Sequence, residues 1–99
     1  MLCLLSARRL KPGAYEQFRE AWDPGDERPP GLQRVYHLRN VRDENEVVSF
    51  GLFDTTLDEF NRWREGTPGV EDSRQSDMSE YVESVIVEGI YEVAEVLEG

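Results

Sequence analysis

The stretch LCLLSARR, Leu2 to Arg9, carries apolar side chains on both sides of an extended backbone. As a strand it puts Leu2, Leu4 and Ser6 on one face and Cys3, Leu5 and Ala7 on the other. A strand that is apolar on both faces has to be covered on both. The chain must therefore build layers around this segment.

The rest of the chain supplies the layers. Lys11-Pro12-Gly13 is a turn, and Tyr15, Phe18 and Trp22 recur at helical spacing, so a helix is expected over Ala14 to Trp22. Asp23-Pro24-Gly25 stops it, and residues 23–31 read as a proline-rich loop able to lie over a cavity mouth. Leu32 to Val41 and Glu46 to Phe53 form a hairpin about the turn Arg42 to Asn45. In its first strand Leu32, Arg34, Tyr36 and Leu38 alternate with Gln33, Val35, His37 and Arg39. In its second, Val48, Phe50 and Leu52 oppose Val47, Ser49, Gly51 and Phe53, and Gly51 signals a close approach or a bulge.

A second helix starts at Thr55-Thr56, where Thr56 and Glu59 fit a capping box, with Leu57, Phe60 and Trp63 inward. Gly66-Thr67-Pro68-Gly69 ends it. Met78, Tyr81, Val82 and Val85 recur at helical spacing, which predicts a third helix from Val70 to Glu83; the stripe extends back to Arg74. A last strand is expected over Val85 to Leu97, with Gly89 a candidate bulge and the excess length available to a partner subunit.

The order βαββααβ fits an α+β fold: a ferredoxin-like protomer with a four-stranded antiparallel sheet and helices on one face. The other face would carry Cys3, Leu5, Ala7 and Val35. Apolar burial at about 25 cal/mol per Å² favours closing two such faces as a homodimer. Ninety-nine residues suit one domain, expected to span 1–99.

The net charge of −10 repels phosphate backbones and anionic membranes, which argues against nucleic acid and membrane partners. The densest basic group, Arg8, Arg9 and Lys11, is soon followed by acids. The single cysteine, Cys3, cannot form an intrachain disulfide. The apolar start is shorter than a signal core, about 7–15 residues, and its basic residues follow it, so a cytoplasmic location is the expectation.

With these elements in place, three segments resemble the antibiotic biosynthesis monooxygenase-like (ABM) family of the dimeric α/β-barrel superfamily. They are RRLKPGAYEQFREAW, EVVSFGLFDTTLDEF and YVESVIVEGIYEVAEVLE. The resemblance implies protomers paired into a barrel, often with exchange of the C-terminal strand, and a small-molecule cavity between helices and sheet. It also implies a range of activities: cofactor-free quinone-forming oxygenases, haem-degrading enzymes and isomerase-like proteins. Haem-degrading relatives carry an Asn on strand one, a Trp on helix two and an axial His some way beyond it. Here those positions resemble Ser6, Trp63 and a site near Ser73. The axial ligand is missing, so no haem or other cofactor is expected.

No His, Cys and carboxylate cluster has metal-ligand spacing, no glycine-rich loop has a phosphate-binding context, and no Ser–His–acid arrangement is legible. His37, the only histidine, has the right intrinsic pKa for a general base, or it is a hydrogen-bonded strand residue. Arg74 interrupts an apolar stripe; it either faces a cavity and holds a phenolate or carboxylate, or pairs with an acid such as Glu71 or Glu80. Trp63, Phe60, Tyr81 and Tyr36 would line an aromatic pocket or fill a core, with Ser6 on the adjacent strand. The acids from Glu80 to Glu98 read as solvated edges.

Two functions fit: a cofactor-independent monooxygenase acting on an aromatic or quinone-like small molecule, and a non-catalytic dimeric binding or accessory protein. A proton-transferring isomerase or cyclase is a third.

Overall fold

The two-faced first strand lies inside the sheet, as its composition demands. A computed structural model describes residues 1–23, 28–67 and 69–99. Its elements are β1 (Leu2–Leu10), α1 (Tyr15–Trp22), β2 (Leu32–Asn40), β3 (Asp43–Phe53), α2 (Leu57–Gly66), α3 (Val70–Ser79) and β4 (Val82–Glu92). The sheet is antiparallel, four-stranded and ordered β2-β3-β1-β4. This is the ferredoxin-like α+β arrangement read from the sequence. The middle of the proline-rich loop expected over 23–31 lies outside the described residues.

The helices cover one sheet face in two separate clusters. Leu10, Phe18, Val47 and Met78 pack beneath α1 and α3; Leu2, Phe53 and Phe60 pack beneath α2. Each cluster is small, and each uses large apolar residues from the ends of β1 and β3. The middle of both strands carries smaller or polar inward residues: Ser6 and Arg8 on β1, Ser49 and Gly51 on β3. Small residues between two bulky clusters leave space.

On the opposite face Cys3, Leu5 and Ala7 stand beside Val48, Phe50 and Leu52 across the β1–β3 register, with Tyr36 stacked on Phe50 at 4.8 Å. Among the described residues no helix covers that face.

Local chemistry differs from the sequence expectation in four places. At β2 the register slips between Leu32 and Arg34, so Gln33 is an extra residue. Leu32 thereby joins the helix side, packed with Phe53 and Phe60, and Val35 shares that side instead of the open one. Gly31, at φ 76°, makes this start possible: its carbonyl accepts the Asp54 N–H at 2.8 Å.

The third helix stops at Ser79, and the strand after it starts at Val82, not Val85. In this β-branched run Val82, Val85 and Val87 pair with β1. That pairing outweighs the helical spacing. Lys11 N–H to the Tyr81 carbonyl at 3.0 Å anchors the crossover. β4 ends at Glu92, short of the expected Leu97. Its irregularities fall opposite Ala7/Arg8 and Arg9/Leu10, which makes Ile86 and Glu83 the extra residues and leaves Gly89 in register. Tyr91 lies over Gly89, 3.0 Å from where a Cβ would sit.

At α2 the Thr56 hydroxyl accepts the Glu59 N–H at 3.2 Å, as expected. The returning half differs: the Glu59 carboxylate accepts the Thr55 hydroxyl at 2.8 Å. Leu57, expected inward, is 50% exposed.

Candidate functional site

The gap between the two clusters is a cavity of about 650 Å³. Its floor follows from strand register. His37 on β2 pairs with Ser49 on β3, Ser49 with Ser6 on β1, and Ser6 with Glu88 on β4. One row of polar residues thus crosses all four strands. Either side of it, Leu4, Val35 and Gly51 continue the floor towards the α2 end, and Arg8 towards the α1 end. Gly51 is needed by its neighbour: the Phe53 ring lies 2.8 Å from the point a Cβ would occupy.

His37 is held on three sides. Its Nδ1 is 2.7 Å from the Ser49 hydroxyl. Trp22 meets the ring edge-on at 4.9 Å and Phe18 does so at 6.3 Å. Burial lowers its pKa below the usual value, and the charges of Arg19 and Arg8 lower it further against the opposing pull of Asp23. On balance these influences favour the neutral imidazole.

Two arginines flank the same aromatic wall. Arg8 is only 4% exposed, donates to the Ser6 hydroxyl and lies 5.7 Å from the centre of the Phe18 ring. Arg74, half-buried on α3, donates to the Trp22 carbonyl at 3.1 Å and lies over its ring at 5.0 Å. The other end is aromatic: Phe60 and Trp63 pack at 5.9 Å, and Arg64, also in the lining, lies over the Phe60 ring at 5.6 Å. The cavity has a hydrogen-bonding, cationic end and a flat apolar end.

The fold that frames this cavity has counterparts among solved structures. SnoaB from Streptomyces nogalater, a cofactor-independent oxygenase, superposes with a TM-score of 0.73 at 19% identity, over 99% of this chain and 97% of that one. A candidate antibiotic biosynthesis monooxygenase from Caulobacter crescentus CB15 gives 0.71 at 13% identity, over 95% and 90%. Another, from Chloroflexus aurantiacus J-10-fl, gives 0.70 at 12%, over 98% and 96%. The chain has the ABM-like fold. No family model matches it, and no curated protein does. Fold and sequence have separated far enough that the likeness carries no residue roles with it.

Within this ABM-like fold the cavity brings together Ser6, His37, Phe60, Trp63 and Arg74. Tyr36 and Tyr81 are not in its lining. Tyr36 neighbours His37 along a strand, and strand alternation sends it to the opposite sheet face. Tyr81 sits in the turn after α3 and packs on the cluster around Leu10 and Met78. Arg74 reaches the cavity lining, and it donates a hydrogen bond to the Trp22 backbone carbonyl.

Three contributors were not among the expected site residues. Arg8 falls in phase with Leu2, Leu4 and Ser6, and that phase is the available signal. The pairing of Ser49 with His37 depends on register. Trp22 meets His37 only through the packing of α1 on the sheet. Among the described residues no group of three His, Cys, Asp or Glu side chains is placed to hold a metal ion, and no helix is long and apolar enough to cross a membrane.

Proposed function

We propose that this protein is a cofactor-independent monooxygenase acting on an aromatic or quinone-like small molecule, working as a homodimer closed through the open sheet faces. The observation that carries the reading is a half-buried His37, hydrogen-bonded to Ser49, at the polar end of a cavity whose far end is walled by Phe60 and Trp63. The fold shared with SnoaB, a cofactor-independent oxygenase, points the same way.

In this reading the substrate ring lies against Trp63 and Phe60. The open Nε2 of His37 takes a proton from an acidic phenol or ring methylene, while Ser49 holds the imidazole through Nδ1. Arg74 stabilises the resulting anion. That anion supplies the electrons to dioxygen. The ring CH₂ becomes a carbonyl, one oxygen atom stays on carbon and the other leaves as water with the two hydrogens. The protein orients the ring and excludes solvent.

The test is oxygen uptake with an anthrone-type substrate after dialysis against a chelator. Uptake that persists, yields the quinone and falls about 100-fold in His37→Gln supports the reading. Saturable binding of the same compounds with no turnover supports the accessory-protein reading instead.

A further inference from the structure

The last turn of α1 ends against His37, and α1 itself does little to secure that end. The helix has eight residues, and its N-cap, Ala14, makes no side-chain hydrogen bond. Helices this short are marginal on their own. The C-cap, Asp23, is extended at φ −68° and ψ 121°, so the last carbonyls have no further turn to bond to. Arg74 supplies a donor from α3, 52 positions along the chain: it bonds the Trp22 carbonyl at 3.1 Å. The same guanidinium lies over the Trp22 ring at 5.0 Å. A planar cation can do both at once, donating at its edge and stacking through its face. One side chain thus grips the backbone and the ring of the last residue of α1. That ring meets His37 edge-on at 4.9 Å, and Phe18, one turn earlier, meets it at 6.3 Å.

We propose that Arg74 is a positioning residue: by clasping Trp22 it holds the end of α1 over the His37 ring and keeps water from it. This deepens the monooxygenase reading, in which His37 is the base, and rests on that reading for its catalytic meaning. A reacting group displaced by about 1 Å can lose about 100-fold in rate, so a wall that fixes the imidazole matters although it touches no substrate. The clasp also explains why a residue on α3 bears on a base carried by β2: the path runs through one indole.

The cover has a built-in reporter. His37 is faced by Arg8 from β1, by Phe18, Arg19, Trp22 and Asp23 from α1 and its end, and by Ser49 from β3; Arg74 of α3 binds the Trp22 that packs on it. Burial is the largest of the influences that lower the pKa of the imidazole, ahead of Arg19 and Arg8, and Asp23 opposes them. Loosening Trp22 admits water and weakens that largest influence. The pKa should then rise towards the ordinary 6.5.

The experiment is a double-mutant cycle read by NMR of the sole histidine in the resting protein. Two signals are followed: the His37 pKa, and the ring-current displacement that the Trp22 indole imposes on the imidazole protons. Arg74→Met should raise the pKa and shrink the displacement. In a Trp22→Leu background the same substitution should change the pKa no further. An equal pKa change in both backgrounds would mean that Arg74 acts on the imidazole by charge, and the clasp would fall. It would fall too if Arg74→Met left both signals unmoved. Should Trp22→Leu fail to fold, the displacement in Arg74→Met decides alone, because loss of a charge does not move a ring current. Oxygen uptake is not involved. A failed clasp therefore leaves the oxygenase reading standing, and a protein that takes up no oxygen can still show the clasp.

Discussion

Residue by residue, the site depends on neighbours that strand alternation makes and sequence spacing hides. His37 is the clearest case. Its chemistry follows from Ser49, twelve positions away, and from Trp22 on another element. The direction of its pKa makes a sign-definite prediction. In the unfolded chain it titrates near 6.5. In the fold its pKa is lower, so between the two values the unfolded chain binds more protons. The resulting stability is fully present above about pH 6.5 and is lost as pH falls through the folded value. Urea midpoints should therefore drop between pH 7.5 and 5 more in the native protein than in His37→Gln. A larger drop in the variant would contradict burial of a neutral ring. A rate limited by His37 as base should rise with pH and level off with a midpoint below 6.5.

Gly51 gives a second residue-scale prediction. A methyl there meets the Phe53 ring at 2.8 Å, and a ring, unlike backbone, can swing away. Phe53 lines the cavity, so displacement reshapes the space available to a guest. Gly51→Ala should cost about 1–3 kcal/mol by overpacking and should weaken binding of a three-ring guest more than a one-ring guest. The glycine stood out in the sequence. Which face it served followed only from its pairing with Leu4 and Val35.

At the scale of elements, strands, helices and the capping threonine were legible because periodicity and turn chemistry are local. Two boundaries were not. The helix-like recurrence of Met78, Tyr81, Val82 and Val85 ran through a junction where pairing with β1 decides the outcome. At Leu32, one extra residue reversed the facing of the strand's beginning, and no residue type announced it. Gly31 pins that beginning, and its replacement should be severe. A Cβ there would sit 2.3 Å from the Asp54 carbonyl oxygen, on a residue already at φ 76°. Backbone cannot yield as a side chain does, so Gly31→Ala should lose more than about 2 kcal/mol. Thr56→Ala, which removes only the cap on Glu59, should lose about 1 kcal/mol. Chemical denaturation of both variants checks the order. A Gly31→Ala protein as stable as Thr56→Ala would mean the β2 start is set elsewhere.

For the whole molecule the decisive feature is the uncovered sheet face. Cys3, Leu5, Val48, Phe50 and Leu52 lie there, joined by Tyr36. β4 adds exposed Val87 and Tyr91 on the same side. A contiguous apolar sheet surface is costly in water, and a second copy offers a face of identical shape. Sedimentation equilibrium at micromolar concentration should therefore give twice the 11.5 kDa chain mass. Phe50→Glu, which buries a carboxylate at the centre of the contact, should return it to one chain mass. The charge adds a further constraint. Two chains of net charge −10 repel, so screening should tighten the pairing as salt rises. An association held by interchain ion pairs would weaken instead. A one-chain mass at tens of micromolar that salt leaves unchanged would mean this face is soluble as it stands, and the dimer would have to be abandoned.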